Sequence, residues 1–134
     1  MVIEAVIERA TDGTFNVYCS KEIFSGAGDT IEEAKADMMQ QIKFYKETAI
    51  AEGFMYPAFL DGEYSFSYKI DVVSLMQYYV NSGILSLAGL EKLTGINQKQ
   101  LWGYINGTKP RKAQEERIES GFRALDKDLN AIFA

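Results

Sequence analysis

The sequence predicts an α+β protein, with a small ββ(β)αβ module in which one helix covers an antiparallel sheet, followed by an all-α domain. Three observations predict this class. Segments that alternate apolar and polar side chains, as half-buried strands do, occur only in residues 1–70. From residue 71 onwards, apolar side chains recur only at helical spacing. The charge is also divided, because residues 1–68 carry 5 Lys and Arg against 12 Asp and Glu, whereas residues 69–134 carry 9 against 7.

Alternation predicts two strands near the N-terminus and a third shortly after them. Residues 2–8, VIEAVIE, alternate apolar side chains with glutamates, which predicts a strand. The Asp-Gly pair at 12–13 is a hairpin signal. Residues 15–19, FNVYC, alternate again, and residues 22–26, EIFSG, predict a short third strand.

A long helix and a further strand complete the first module. Thr30 and Glu33 form a capping box that predicts a helix start, and the helical pattern ends near Glu52-Gly53. The apolar side chains between these points recur at helical spacing: Ile31, Ala34, Met38, Ile42, Tyr45 and Ala49. Residues 64–70, YSFSYKI, show the clearest alternation in the chain and predict a strand after the helix.

The second domain, residues 71–134, is predicted to contain helices alone. Asp71 is a candidate N-cap for a helix that ends at Gly83, and shorter helices are predicted at about 86–94 and 98–105. A long helix at about 112–133 carries an apolar stripe formed by Ile118, Phe122, Leu125, Leu129 and Ile132. This stripe covers the rest of the domain, a second subunit, or both.

The segment GINQKQLWGYINGTKP, residues 95–110, predicts a helix-turn-helix. Gly95 is suited to a left-handed turn, and Asn97 is a good N-cap for the second helix. Leu101, Tyr104 and Ile105 are then expected to point inward. The outer face that remains has no carboxylate and consists of Gln98, Lys99, Trp102, Gly103 and Asn106. In such a motif the second helix enters the major groove of DNA.

DNA binding is the function that this face predicts. Gln can read adenine and Lys can read guanine, whereas the basic side chains just after the helix are expected to hold phosphates. The candidate DNA-binding residues are Asn97, Gln98, Lys99, Trp102, Gly103, Asn106, Lys109, Arg111 and Lys112. Trp102 is equally suited to contact DNA or to lie at a dimer surface. The alternative is a protein–protein module, because helix-turn-helix shapes also serve that purpose.

The composition argues against catalysis. The chain has no His, which removes the commonest general base and the commonest zinc ligand, and it has no Gly-rich phosphate loop. The single cysteine, Cys19, lies in an alternating pattern and is interpreted as a core residue. Glu4 and Glu8 are interpreted as a solvated sheet edge rather than a relic of a metal site. No catalytic residue, metal ligand or cofactor is predicted.

The same composition predicts a cytoplasmic protein. No apolar run approaches the roughly 20 residues that a membrane-spanning helix needs. Glutamates at positions 4 and 8 interrupt the segment where a signal peptide would be apolar. A lone cysteine is compatible with a reducing compartment. We therefore expect no interaction with membranes.

Residues 95–110 resemble the recognition half of phage-repressor-type helix-turn-helix domains. The resemblance is carried by the turn glycine, the polar helix start, an apolar-x-x-Tyr core and the terminal Asn106-Gly107. That family prefers a small residue four positions before the turn glycine, where this chain has Glu91. The helix pair is therefore expected either to be slightly splayed or to rotate Glu91 outward.

The first module resembles the N-terminal domain of HicB-family antitoxins. The resemblance lies in FNVYCSKEIFSGAGDTIEEAKADMMQQIKFYKE, residues 15–47, where a Gly-containing turn leads to a G-D-T-x-E-E-A helix start at residues 28–34. A C-terminal DNA-binding domain is also the HicB arrangement. The resemblance therefore covers nearly the whole chain.

This resemblance implies an antitoxin of a type II toxin–antitoxin system. Residues 1–70 would form a reduced ribonuclease-H-like domain that lacks nuclease function and binds a small, basic, mRNA-cleaving toxin of the HicA type. The net charge of −7 on residues 1–68 suits such a partner. Residues 71–134 would bind double-stranded operator DNA as an autorepressor, and the protein would be a homodimer or a higher oligomer.

Two other functions stay open from the sequence. The main alternative is a transcriptional regulator without a toxin partner, whose first module senses a small ligand or another protein. The other is a nuclease that uses carboxylates of the first module, and it is the least favoured because no pair of carboxylates has a recognisable hydrolase or metal-loop spacing.

Overall fold

The computed structural model describes all residues, 1–134, as two compact units, Met1–Asp71 and Val72–Ala134. The protein is α+β, with a four-stranded mixed sheet in the first unit and five α-helices in the chain. None of these helices combines the length and the apolar character needed to cross a bilayer.

The sheet of the first unit has the strand order β3-β2-β1-β4. Its strands are β1 (Val2–Arg9), β2 (Phe15–Cys19), β3 (Ser25–Gly28) and β4 (Ser65–Ile70). The first three strands form an antiparallel meander, whereas β4 pairs in parallel with β1. The prediction of a purely antiparallel sheet is therefore wrong. The helix at residues 31–52 connects β3 to β4 as a crossover, which leaves β4 parallel to β3 and therefore also to β1.

Two further sequence predictions about the sheet need correction. The third strand covers residues 25–28 rather than 22–26, because residues 20–23 form the turn that brings the Cys19 amide within 2.9 Å of the Phe24 carbonyl. Glu4 and Glu8 do not lie on a sheet edge, since β1 has a neighbour on each side. They lie on the face of a central strand, opposite the buried side chains of Ile3 and Ile7.

The long helix α1 (Ile31–Glu52) begins and ends where the sequence predicts. The Thr30 hydroxyl accepts a hydrogen bond from the Glu33 amide at 3.1 Å, and the Glu33 carboxylate accepts one from the Asp29 amide. These bonds satisfy amides that would otherwise be unpaired at the helix start. Gly53 ends the helix at φ 73°, in the left-handed region that favours glycine.

Helix α1 packs against one face of the sheet and closes the core of the first unit. That core contains Ile3, Ala5, Ile7, Val17, Cys19, Phe24, Ala34, Met38, Ile42 and Leu60. Gly26 permits the closest approach, because a Cβ atom there would lie 2.4 Å from the Ala34 carbonyl oxygen and from the Met38 amide nitrogen. A short 3₁₀ turn that the sequence did not predict, Ala58–Asp61, precedes β4.

The second unit contains α2 (Val72–Asn81), α3 (Leu87–Thr94), α4 (Gln98–Ile105) and α5 (Lys112–Phe133). The four helices lie within a residue or two of their predicted positions. Their core contains Val72, Met76, Leu90, Ile96, Leu101, Tyr104, Ile105 and Ile118. Gly121 lets α5 approach α3 closely, because a Cβ atom there would lie 2.7 Å from the Leu93 carbonyl oxygen. The apolar stripe of α5 is thus only partly used within the unit, since Leu129 and Ile132 stay exposed.

Candidate functional site

The turn between α3 and α4 is held by local hydrogen bonds. Gly95 has φ 71°, and its amide donates to the Glu91 carbonyl at 2.8 Å. The Thr94 hydroxyl donates to the Leu90 carbonyl at 2.7 Å and accepts from the Ile96 amide at 3.1 Å. The Ile96 side chain is buried beside the turn. These contacts fix the direction in which α4 leaves α3.

The start and the inner face of α4 agree with the sequence prediction. The Asn97 side-chain oxygen accepts a hydrogen bond from the Gln100 amide at 2.9 Å, so Asn97 acts as an N-cap. Leu101, Tyr104 and Ile105 are buried. Gln77 of α2 donates from its amide nitrogen to the Ile105 carbonyl at 3.0 Å and so satisfies the end of the helix. Helix α4 is therefore anchored at both ends.

The outer face of α4 is polar and exposed. Gln98, Lys99, Trp102 and Asn106 are exposed, and Gly103 is half-buried. Helix α4 and its caps contain no carboxylate. Gln100 is exposed as well, although it is not among the candidates predicted from the sequence. Helical spacing alone could have found it, since Gln100 lies at the margin of the outer face.

Two candidate side chains on this face also make bonds within the unit. The side-chain nitrogen of Gln98, Nε2, lies 3.4 Å from a carboxylate oxygen of Glu91, in an exposed hydrogen bond. Glu91 is therefore rotated outward, one of the two arrangements expected from the sequence. The side-chain nitrogen of Asn106, Nδ2, donates to the Trp102 carbonyl at 2.8 Å and caps the end of α4. The side-chain oxygen of Asn106 stays available as an acceptor.

A basic group follows α4 at the start of α5. Lys109, Arg111 and Lys112 are exposed, and no other side chain pairs with them. Arg111 is the N-cap residue of α5, but no side chain accepts a hydrogen bond from the first helical turn. Pro110, between the lysine and the arginine, is buried and anchors this segment. The positive end of the α5 dipole thus coincides with three cationic side chains.

Arg117 is a basic residue of this region that is not among the candidates predicted from the sequence. Its Nη2 atom donates to the Gly95 carbonyl at 2.8 Å, and Nη1 donates to the Gln114 side chain at 3.2 Å. The contact joins α5 to the α3–α4 turn across 22 residues of sequence. No local pattern signals a contact of that range.

The first unit contains the only cysteine of the chain. Cys19 is buried, its Sγ lies 3.9 Å from Met38 Sδ, and burial raises the pKa of the thiol. A raised pKa disfavours the thiolate that a nucleophilic cysteine needs. No group of three or more His, Cys, Asp or Glu side chains is arranged to hold a metal ion.

Comparisons of the chain with protein-family models, with curated proteins and with solved structures find no match. The resemblances described for residues 15–47 and 95–110 therefore depend on those residues alone.

Proposed function

We propose that the protein is a HicB-like antitoxin that also binds operator DNA as an autorepressor. In this proposal the unit Val72–Ala134 is a helix-turn-helix DNA-binding domain, with α3 and α4 as its helix pair. The unit Met1–Asp71 binds a basic, mRNA-cleaving toxin of the HicA type and performs no chemistry. Both tasks would be carried out in the cytoplasm.

The observation that carries the proposal is the surface formed by α4 and the start of α5. This surface combines an outer helix face without a carboxylate and three unpaired cations, on a chain whose net charge is −5. Cations at a helix N-terminus are unfavourable by about 0.3–1 kcal/mol each, and the first turn of α5 holds one carboxylate, that of Glu115, against the three cations. A DNA phosphate is an anion that would offset this cost.

Six of the candidate residues have distinct tasks in this proposal. Gln98 and Lys99 lie in the first turn of α4, where side chains of a recognition helix reach base edges. Lys109, Arg111 and Lys112 would hold phosphates and set the orientation on the duplex. Asn97 would serve mainly as the helix cap, since its side-chain oxygen is already engaged.

The charge of the first unit supports a basic partner. Residues 1–71 carry 13 Asp and Glu against 6 Lys and Arg, a net charge of −7, whereas residues 72–134 carry 6 against 8, a net charge of +2. An acidic surface repels nucleic acid and accelerates association with a basic protein. The division suits a protein that binds DNA with one unit and a toxin with the other.

A second copy of the chain is part of the proposal. One recognition helix reads few base pairs, and such domains pair across half-sites about 34 Å apart. Leu129 and Ile132 lie on one side of α5 and are exposed, so they offer an apolar surface for a dimer.

The test has a DNA arm and a toxin arm, both with the full-length protein. In the DNA arm, affinity for the duplex upstream of its own coding sequence is compared with affinity for a random duplex of equal length. In the toxin arm, the product of the adjacent reading frame, which the proposal requires to be a short basic protein, is expressed with and without the chain, and growth and mRNA integrity are measured. Preference for the upstream duplex and rescue of growth are expected. Equal binding to both duplexes would contradict the repressor role, and absence of rescue would contradict the antitoxin role.

One observation favours the alternative of a ligand-sensing regulator. The first unit contains an apolar groove of 820 Å³ between α1 and the β2–β3 hairpin, a volume that suits a small ligand. That function predicts operator binding that depends on a small molecule, together with no rescue in the toxin arm.

A further inference from the structure

The groove of the first unit, the α1 groove, carries a more specific inference. It has a volume of 820 Å³ and lies between one side of α1, the β2–β3 hairpin and the segment that follows α1. Asp37, Gln41, Phe44 and Thr48 line it from α1. These positions are four, three and four residues apart, so they form a continuous side of the helix about 16 Å long.

The α1 groove exposes large apolar side chains next to one another. Ile23 is 74% exposed, Phe44 66%, Phe54 66% and Met55 95%, and all four line the groove. Contiguous exposed apolar surface of this kind marks interaction sites on soluble proteins. Aromatic residues and methionine are also enriched at protein interfaces. The groove therefore presents the side chains that a protein partner would bury.

The backbone beside the groove does not favour an added strand. β3 is at the sheet edge, but the Ala27 amide donates to the Asp37 carboxylate at 2.9 Å. At Gly26 the strand is in direct contact with the backbone of α1. An added strand would have to break the hydrogen bond between Ala27 and Asp37 and displace α1 from Gly26. An occupant that presents side chains, such as a helix, needs neither change.

The electrostatics of the groove select the charge of its occupant. Asp37 is the only residue with a formal charge that lines the groove, and no Lys or Arg lines it. One oxygen of the carboxylate accepts the Ala27 amide, and no cation pairs with it. The unit around it has a net charge of −7 over residues 1–71. A cationic side chain close to apolar ones would complement this arrangement.

We propose that the α1 groove binds an amphipathic helix of a basic partner protein, whose apolar side chains pack on Phe44 and Met55 and whose Lys or Arg pairs with Asp37. This inference rests on the proposed function, in which the first unit binds a basic protein, and adds the surface and the form of the bound segment.

The test uses a phage-displayed library of random 20-residue peptides and the immobilised full-length protein. Retained peptides are expected to carry apolar side chains at helical spacing and an excess of Lys or Arg. Phe44→Glu and, independently, Met55→Glu should lower their retention at least about tenfold, the effect of losing 1.4 kcal/mol of binding free energy. Asp37→Asn should remove the excess of Lys and Arg.

The chain offers a matched control on the same helix. Ile50 lies on α1, is 62% exposed and does not line the groove, so Ile50→Glu should leave retention unchanged. All these side chains except Asp37 are mostly exposed, so their replacement should preserve the fold, which circular dichroism checks. The absence of enriched peptides, or equal loss in Phe44→Glu and Ile50→Glu, would overturn the inference.

Other occupants give different results. If Phe44→Glu changes the oligomeric state measured by light scattering, the groove binds a second copy of the chain and the inference is wrong. If Phe44→Glu still rescues growth in the toxin arm, the antitoxin function stands while the groove assignment fails. If groove-dependent peptides are found but no rescue occurs with the unaltered chain, the groove assignment stands while the antitoxin function fails.

Discussion

The side chains of Gln98 and Glu91 are joined across the turn between α3 and α4, with Gln98 Nε2 lying 3.4 Å from Glu91 Oε1. The bond is exposed and long, so it is weak. It nevertheless places a carboxylate beside the first turn of α4. In the proposed DNA-binding mode this is the end of the helix that enters the major groove, where a negative charge opposes the phosphates.

Replacing Glu91 by Gln should therefore strengthen binding to any DNA duplex. The change removes the negative charge and keeps the shape, and we expect a gain of up to about 1 kcal/mol, the Coulomb energy of two close charges in water. Fluorescence anisotropy with upstream and random duplexes measures it. Glu63→Gln makes the same change of net charge in the first unit and should have a smaller effect. Equal gains for both variants would mean that only net charge matters.

Gln98 and Lys109 should contribute to DNA binding in different ways. Gln98→Ala should cost about 1–3 kcal/mol on the upstream duplex and little on random DNA, because it removes a contact to a base. Lys109→Ala should weaken binding to both duplexes similarly, because it removes a phosphate contact. It should also lower the slope of log affinity against log salt concentration by about 1. Titrations at several salt concentrations measure both effects.

Lys127, exposed in the second half of α5, supplies the control for the lysine. Lys127→Ala should leave the salt slope unchanged. If Gln98→Ala weakens binding to both duplexes equally, the face of α4 that contacts DNA has been assigned wrongly.

At two glycines inside helices, replacement by alanine should change the free energy of unfolding in opposite directions. A Cβ atom at Gly121 would lie 2.7 Å from the Leu93 backbone oxygen, so Gly121→Ala should lower the free energy of unfolding by about 1–3 kcal/mol. At Gly103 the nearest atom would be Thr108 Oγ1 at 3.7 Å, an ordinary contact, so Gly103→Ala should raise it by about 0.5–1 kcal/mol. Urea unfolding followed by circular dichroism compares the two.

Gly103→Ala also tests the DNA surface, because Gly103 lies on the outer face of α4. If DNA approaches the helix closely there, the more stable variant should bind the upstream duplex less tightly. Unchanged affinity would place Gly103 outside the interface.

The exposed end of the α5 stripe should hold two copies of the chain together. The double variant Leu129→Ser/Ile132→Ser should be monomeric at micromolar concentration, because it removes apolar area from the proposed dimer surface. Light scattering with and without DNA measures the mass. Lys127→Ser/Ala131→Ser changes the opposite side of the helix and should keep the oligomer. A strictly monomeric unaltered protein would refute this prediction.

The first unit should lose stability in acid through Asp61. Hydrogen bonds from the Lys46 ammonium group, at 3.1 Å, and from the Tyr56 hydroxyl, at 2.9 Å, lower the pKa of Asp61 below its usual 3.8. A carboxyl group with a lowered pKa in the folded state stabilises the protein above pH 3.8, and this contribution is lost as the pH falls through the lowered value. Asp61→Asn should thus be less stable than the unaltered protein at pH 7, with the difference shrinking below pH 4.

Urea midpoints at pH 7, 5 and 3 measure this difference. Glu63→Gln, two residues away, replaces a carboxylate whose side chain has no bonding partner and should show no comparable difference at pH 7. A constant gap between Asp61→Asn and the unaltered protein at all three pH values would contradict the prediction.

Local residues determine the helices of this protein. The capping side chains of Thr30 and Asn97 and the left-handed glycines Gly53 and Gly95 act within a few residues of the helix ends that they define. Periodicity likewise indicates which side of α4 is buried, because Leu101, Tyr104 and Ile105 recur within two turns. The outer face of α4 and its residue types could therefore be predicted from the sequence.

Contacts between distant residues were decided only by the tertiary structure. The parallel pairing of Val2 with Ser65, the contact of Arg117 with Gly95 and the α1 groove each join segments far apart in the chain. The outward rotation of Glu91 depends on how α3 and α4 pack, and the sequence left it as one of two choices. Hydrophobic periodicity is a local signal that defines which face of an element is buried. It carries no information about which distant element covers that face, because many partners bury the same apolar area.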